Sequence, residues 1–276
     1  MEKITYSVIM PTLGNHGLLP QAIESVLAAQ SREMELIVVY NGRPAEAEAV
    51  RRSLSGFGLR WSATPKPYGI ARANNHGFRE SRGAYVVFMH DDVIIGQTDW
   101  LERLREVLDH DGRVGMVGGC EAKYIDRSPE RAPQRIAGAQ VCDWSPTIAM
   151  ARRRDLEEDG LFDEFYLFGL EDQDWALSFR RKVFDVVCRP IVHRHVGTKG
   201  SYSAFLEDKA LLDYYSKEGI RERYFLNKNR DVLSPEFVAR GLRKWGSWDR
   251  DWKRSWWIKL YLKYYFKRAR GLFKLR

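Results

Sequence analysis

Residues 84–93 read AYVVFMHDDV, an apolar, largely β-branched run that leads directly into His90, Asp91 and Asp92. A short run of this kind is typical of a buried strand in a parallel sheet. The two acids then follow the carboxyl end of the strand, where open α/β sheets bind ligands. Adjacent carboxylates at that edge suit Mg²⁺ or Mn²⁺ bridging a diphosphate, because hard cations take oxygen ligands. The same pair also occurs in solvated turns and at helix N-termini, so this stretch alone predicts a strand more firmly than a site.

The sequence before this strand alternates apolar runs with segments of helical spacing. Strands are predicted at 6–11 (YSVIMP) and 34–40 (MELIVVY), with a helix at 18–30 between them. Strand, helix and strand in this order form a βαβ unit, which implies a parallel sheet. The alternation continues along the chain, with helices predicted at 45–55, 70–82 and 98–109 and strands at 59–63, 113–118 and 147–151. We therefore predict an α/β fold with a mostly parallel central sheet flanked by helices.

A second acidic cluster, residues 171–175 (EDQDW), opens a helix predicted at 171–183. Acids in a first turn complement the helix dipole, which is one explanation of the cluster. A carboxylate behind an aromatic, Gly-rich stretch also suits a general base, with the rings able to stack on a sugar.

His193 and His195 lie on a segment with strand character. Spacing by two residues places both side chains on one face of a strand. Either histidine would complete a metal site begun by two aspartates, and a surface or core histidine is the alternative.

Four segments in order resemble the inverting glycosyltransferases of family 2, which share the Rossmann-like GT-A fold. The resemblance covers roughly residues 5–200. The first two segments are Pro11-Thr12 and residues 38–42 (VVYNG). The third segment spans residues 69–93 and begins with GIARANNHG. The fourth consists of residues 160–164 (GLFDE) followed by the second acidic cluster.

The resemblance implies a metal site, a base and a donor site. Asp92 takes the place of the main Mn²⁺ or Mg²⁺ ligand, and His195, or else His193, that of the family's metal or phosphate histidine. Asp172, with Glu171 beside it, would remove the acceptor proton, and the product would be inverted. The residues implied in nucleotide and donor binding are Pro11, Thr12, Tyr40, Asn41, Asn75, His90 and Asp91. The residues predicted to contact the acceptor are Trp144, Tyr166, Asp174 and Trp175.

Four positions depart from the family pattern, one of them Val183, which stands where a Gly is common in the helix after the second acidic cluster. His90 stands where a first Asp is usual, and Asn74 replaces a frequent Arg. Tyr40 replaces an Asp that commonly contacts the base, so UDP-, dTDP- and GDP-linked donors all remain open.

The net charge of +8 is concentrated at the end of the sequence, where residues 241–276 hold twelve Lys or Arg against two acids. Trp245, Trp248, Trp252 and Trp256 recur there at helical spacing, which is typical of a helix at an anionic membrane surface. Docking on the catalytic domain or on a second subunit is the alternative. The remaining residues are slightly acidic, which argues against nucleic acid as a partner.

The segments together predict a catalytic GT-A domain at 1–200, with a nucleotide-binding half at about 1–95 and an acceptor-side half at about 96–200. A helical, basic and aromatic C-terminal extension is predicted at 201–276. Three cysteines without a C-x-x-C pair favour buried free thiols and a reducing compartment. The predicted location is cytoplasmic, at the inner face of the cell membrane.

The predicted function is metal-dependent transfer of a sugar from a nucleotide diphosphate sugar to a hydroxyl of a glycan or lipid-linked acceptor. One alternative is a nucleotidyltransferase of similar fold, which would need a basic triphosphate loop near the first strand. Residues 13–17 (LGNHG) contain no Lys or Arg. The other alternative is a catalytically silent glycan- or membrane-binding module.

Overall fold

The computed structural model describes residues 4–14, 17–29, 31, 33–65, 69–120, 135–142, 147–157, 160–167, 169–181, 185–196 and 219–245. These residues belong to two compact units, Met1–Asp213 and Tyr214–Arg276. Trp144 and most of the basic segment at 241–276 lie outside the described residues.

The first unit is built on a sheet of nine strands within the described ranges, in the order β3-β2-β1-β4-β9-β6-β10-β8-β7. The strands β1 to β4 are mutually parallel, as are β6 and β10, whereas β9 runs antiparallel between β4 and β6. The strands are β1 Tyr6–Thr12, β2 Met34–Tyr40, β3 Arg60–Ala63, β4 Tyr85–Met89, β6 Val114–Cys120, β7 Arg135–Ile136, β8 Ala139–Val141, β9 Ile148–Arg152 and β10 Asp185–Pro190. Two short strands, β5 Val93–Ile95 and β11 His193–His195, pair antiparallel in a separate ribbon.

Helices cover both faces of the large sheet. The helices of the first unit are α1 Leu19–Leu27, α2 Ala47–Ser53, α3 Ile70–Glu80, α4 Trp100–His110, α5 Arg153–Glu157 and α6 Glu171–Arg181. Apolar residues of α1 and α4 pack in one buried cluster, and those of α3 and α6 pack in another.

The strands divide between these clusters by the two-residue alternation of a β-strand. In β1, Val8 and Met10 join the cluster of α1 and α4, and Ile9 joins the cluster of α3 and α6. A strand covered on both faces has no polar side, which is why the predicted strands read as continuous apolar runs. The predicted α/β fold with a mostly parallel, helix-flanked sheet is thereby confirmed.

The second unit contains two helices in its described residues, α7 Ile220–Lys228 and α8 Pro235–Trp245. Helix α8 ends at Trp245, and its Phe237 is 43% exposed beneath Arg240, whose guanidinium lies 5.6 Å from the ring centroid. No helix among the described residues has both the length and the hydropathy needed to cross a bilayer.

A buried carboxylate ties β1, β2 and β3 to the segment that precedes β4. Glu35 is 6% exposed and accepts hydrogen bonds from the Ser7 hydroxyl at 2.6 Å and the Arg60 guanidinium at 2.7 Å. The backbone N–H of Arg82 donates to the same carboxylate at 2.7 Å, and its guanidinium donates at 3.1 Å. Burial by itself would raise the pKa of Glu35, but these hydrogen bonds hold it below its ordinary value.

We expect Glu35→Gln to lower the free energy of unfolding by about 2 kcal/mol at pH 7, because charge-assisted bonds in a buried position are lost. Since the pKa of Glu35 is depressed in the folded state, its contribution is present above the unfolded-state pKa and is lost as pH falls through the folded-state pKa. Denaturant unfolding at pH 7 and at about pH 3 measures both effects. The exposed Glu48 on α2 provides a matched control, for which Glu48→Gln should change stability by less than about 0.5 kcal/mol. If the difference in free energy of unfolding between Glu35→Gln and the native protein is as large in acid as at pH 7, this account is wrong.

Candidate active site

The site forms where the parallel strands β1, β2 and β4 end at the same edge of the sheet. Thr12 ends β1, Asn41 follows β2, and His90, Asp91 and Asp92 follow β4. In an open α/β sheet this carboxyl edge is the ligand-binding edge.

Three of the predicted residues come together there as a group able to hold a metal ion. One ligand atom each from His90, Asp92 and His195 lies within 4.8 Å of the others. The Nε2 atom of His195 lies 3.2 Å from the Asp92 carboxylate, and the rings of His90 and His195 are 5.6 Å apart between centroids.

Pairing of β5 with β11 brings His195 to this place. His195 is in register with Val93, the residue after Asp92, and the N–H of Val196 donates to the backbone oxygen of Asp92 at 3.1 Å. His193 lies elsewhere, with its Nδ1 atom 2.9 Å from the backbone oxygen of Ile191. Among the described residues, the structure thus brings His195 into the metal-capable group and leaves His193 outside it.

The donor atoms of the group fit a divalent transition metal. Asp92 is only 6% exposed, so its carboxylate is poorly hydrated and gains from a bound cation. Two imidazoles and one carboxylate together suit Mn²⁺ better than Mg²⁺, which strongly prefers oxygen ligands. His90, which the resemblance assigns to donor binding, lies in the metal-capable group with Asp92 and His195, and donor contact stays a prediction for it.

A narrow cleft is lined by one residue of this group and by the start of α6. His90, Asn74 of α3, Glu171 and Asp172 are among its lining residues. The second acidic cluster thus shares a cleft with His90, the residue before the acidic pair Asp91 and Asp92.

Asp172 has the surroundings of a general base. Burial raises the pKa of its carboxyl above the ordinary value, and the charge of His90 acts in the opposite direction. Its Oδ1 accepts the backbone N–H of Gln173 at 2.9 Å, which fixes the rotamer of the carboxylate. A raised pKa makes a carboxylate a stronger base once it is ionised. Glu171 is 7% exposed and lines the same cleft.

Aromatic rings form the floor of the cleft and hold α6 in place. Phe162 stacks on Trp175 with centroids 4.5 Å apart, and Phe88 meets Phe162 edge-on at 5.0 Å. Trp175 is 1% exposed and its indole N–H donates to the backbone oxygen of Gly160. Trp175, predicted to contact the acceptor, thus lines the cleft from within the core.

The loop before α6 is held against α3 by hydrogen bonds and an ion pair. The side-chain amide of Asn75 donates to the Phe162 backbone oxygen at 2.9 Å, and its oxygen accepts the Phe162 N–H at 3.1 Å. Glu164 adds an ion pair to Arg72 at 3.1 Å. Gly69 has φ +95°, and a Cβ there would lie 2.5 Å from the backbone oxygen of Leu167, so only glycine allows this approach. Asn75, which the resemblance assigns to donor binding, is placed by these bonds between α3 and the loop.

Tyr166 and Asp174, predicted to contact the acceptor, are 0% and 2% exposed. The hydroxyl of Tyr166 donates to the Asp174 carboxylate at 3.2 Å. This geometry gives the pair a packing role at the corner between the loop and α6, and acceptor contact stays a prediction for both residues.

The ends of β1 and β2 form the other part of the predicted donor site. Asn41 is 3% exposed; its N–H donates to the Thr12 backbone oxygen at 2.8 Å, and its side-chain oxygen accepts the Thr64 hydroxyl at 2.9 Å. Tyr40 stacks on Trp61 at 5.7 Å and donates its hydroxyl to the Arg43 backbone oxygen at 3.1 Å. Pro11 is buried within β1, and Asp91 lies in the turn after β4. Nucleotide contact by these residues stays a prediction.

A strand order of this kind, with a metal-capable group after β4 and an acidic helix across the cleft, defines a GT-A fold. A mannosyltransferase from Pyrobaculum calidifontis, solved with GDP-mannose and Mn²⁺, superposes with a TM-score of 0.60 at 19% identity, over 85% of this chain and 67% of that chain. S. aureus TarS residues 1–349, solved with UDP-GlcNAc, superposes with a TM-score of 0.58 at 16% identity, over 88% and 71% of the two chains.

Residues 7–181 match the family described as "Glycosyl transferase family 2", and this match covers well over half of the sequence. The chain belongs to glycosyl transferase family 2. A curated relative, the glucosyl-dolichyl phosphate glucuronosyltransferase of Haloferax volcanii, is 24% identical over 143 residues, which cover 51% of this chain. The chain spans between 13% and 60% of the length of the curated relatives it matches.

Proposed function

We propose that the protein is a metal-dependent, inverting glycosyltransferase that moves a sugar from a nucleotide diphosphate sugar to an acceptor hydroxyl. One observation carries the proposal: His90, part of a group able to hold a divalent metal, lines the same cleft as Asp172, a partly buried carboxylate with a raised pKa. Membership of glycosyl transferase family 2 supports it.

In this reaction the acceptor oxygen attacks the anomeric carbon in line with the bond to the leaving diphosphate. Asp172 accepts the acceptor proton, and its hydrogen bond to the Gln173 N–H keeps the carboxylate in position. His90, Asp92 and His195 would hold the cation, which supplies charge stabilisation to the departing diphosphate. The buried aromatic floor excludes water from the reacting carbon and so favours transfer over hydrolysis.

A binding screen tests the proposal directly. Purified protein with Mn²⁺ is titrated with UDP-, dTDP- and GDP-linked sugars by calorimetry, and the product of any bound donor is followed with and without acceptor. We expect at least one donor to bind in a metal-dependent way and to be turned over. If no nucleotide diphosphate sugar binds, the proposal fails; if one binds without any turnover, the protein is a silent binding module instead.

We further propose that the acceptor is a glycan or a lipid-linked glycan at a membrane surface, with residues 1–200 as the catalytic domain and 201–276 as an extension that contacts the membrane. The basic and aromatic composition of residues 241–276 supports this, as does the exposed Phe237 beside Arg240 on α8. The curated Haloferax volcanii relative is named for a dolichyl phosphate-linked substrate, which agrees with a lipid-linked acceptor.

Vesicle sedimentation tests the membrane contact. We expect the full chain to bind vesicles containing anionic lipid and to release them at high salt, because headgroup attraction falls within a Debye length. Replacing four Lys or Arg of residues 253–268 with Gln should weaken binding by about 10²- to 10³-fold, at up to about 1 kcal/mol for each cation near the surface. The four exposed-residue changes Arg43→Gln, Arg51→Gln, Arg52→Gln and Arg154→Gln serve as the control. Equal binding by both variants would exclude the extension as the contact.

A further inference from the structure

Asn74 is a buried polar residue in the wall of the cleft. It lies in α3 one helical turn after Ile70, and both side chains line the cleft together with His90 and Asp172. Asn74 is 5% exposed, so its carboxamide has little access to water.

The side-chain oxygen of Asn74 accepts no hydrogen bond from any residue within the described ranges. A buried carbonyl oxygen without a donor is costly, and such groups are rare in folded proteins. The neighbouring Asn75 shows the contrast, because both ends of its amide bond the Phe162 backbone. Two adjacent asparagines of one helix thus differ: Asn75 holds a loop, whereas Asn74 lines the cleft with an unpaired side-chain oxygen.

The position of Asn74 indicates which part of a ligand would meet this oxygen. His90 of the metal-capable group and the proposed base Asp172 both line this cleft, together with Asn74. In an in-line displacement the transferred sugar lies between the leaving diphosphate, at the metal, and the acceptor hydroxyl, at the base. A side chain that shares the cleft with a residue of each of these two groups would therefore face the transferred sugar.

We propose that Asn74 is a specificity residue whose carboxamide oxygen accepts a hydrogen bond from a hydroxyl or amide N–H of the transferred sugar. This inference rests on the proposed function and adds the residue that recognises the sugar. A site built to bond a substrate donor group rejects analogues that lack it, because the buried oxygen is then left unpaired.

Asn74→Leu tests this role, since leucine has nearly the same shape and no polar atoms. The measurement is the affinity of the full chain with Mn²⁺ for the nucleotide sugar that the donor screen identifies, and for the corresponding nucleoside diphosphate. We expect the variant to bind the nucleotide sugar about tenfold or more weakly and the nucleoside diphosphate unchanged. Asn74→Ala gives the same comparison if the leucine variant does not fold.

Thermal unfolding without ligand provides a second measurement. Replacing an unpaired buried amide by an apolar side chain should leave Tm unchanged or raise it, whereas Asn75→Leu should lower Tm by breaking the bonds to Phe162. An affinity ratio of nucleotide sugar to nucleoside diphosphate that stays within about twofold of the native ratio would overturn the role of Asn74. Failure of the native protein to bind any nucleotide sugar would instead remove the proposed function, so the two failures are distinguishable.

Discussion

Asp172→Asn should reduce the turnover of donor and acceptor by about 10²- to 10⁴-fold, the range that a positioned general base contributes. Asparagine keeps the size of the side chain and its bond to the Gln173 N–H but cannot accept the acceptor proton. Binding of the metal and of the nucleotide diphosphate sugar should persist, because the residues of the metal-capable group are unaltered. The loss is therefore expected in kcat at saturating donor.

Two variants make this result interpretable. Glu157→Gln alters an acid on α5 whose side chain is 57% exposed, and it should turn over like the native protein. Glu171→Gln tests the other acid at the start of α6. If this variant loses more turnover than Asp172→Asn does, the base is Glu171. Full activity of Asp172→Asn would remove the assigned base altogether.

The second large effect is expected at the metal-capable group. Asp92→Asn, or removal of the ion by a chelator, should lower turnover by about 10²-fold or more, because charge on the leaving diphosphate then lacks its counter-charge. His195→Ala should weaken Mn²⁺ binding measured by calorimetry, and His193→Ala is the matched control two residues away in the same strand. Equal loss of Mn²⁺ affinity in both histidine variants would contradict the assignment of His195.

The same group predicts a preference among cations. With two imidazoles beside one carboxylate, the native protein should bind Mn²⁺ more tightly than Mg²⁺. His90→Asp supplies a second carboxylate and should narrow that preference, a change that calorimetry detects without any measurement of activity. An unchanged ratio of the two affinities would show that His90 is not a ligand.

The strands that carry the site could be predicted from the sequence. The direction of the strands beside them could not. β1, β2 and β4 are buried on both faces, so an apolar run and its following turn identify each of them. The run at 147–151 predicts a strand, but nothing in its composition indicates that β9 runs antiparallel between β4 and β6. Strand direction depends on the path of the connecting segments, which local patterns do not record.

The sequence indicated which residue types form the candidate site better than it indicated how those residues pack against one another. His90, Glu171 and Asp172 line one cleft, and the sequence singled out all three because each belongs to a recognisable pattern in the chain. The placing of His90 beside Asp92 and His195, and the burial of Tyr166 and Asp174, depend on contacts between distant segments. The unpaired oxygen of Asn74 is likewise visible only in three dimensions, although its departure from the family's usual Arg marked the position.

The pairing of β5 with β11 has a consequence for how the protein is made. His195 reaches Asp92 from more than one hundred residues further along the chain, and it lies beyond residue 181, where the family match ends. During synthesis the parallel core, the aromatic floor and Asp172 can all be in place before the last member of the metal-capable group leaves the ribosome. Under the proposed function, a nascent chain halted after α6 would hold the proposed base Asp172 but lack His195 of the metal-capable group, so it would be inactive until the ribbon of β5 and β11 forms.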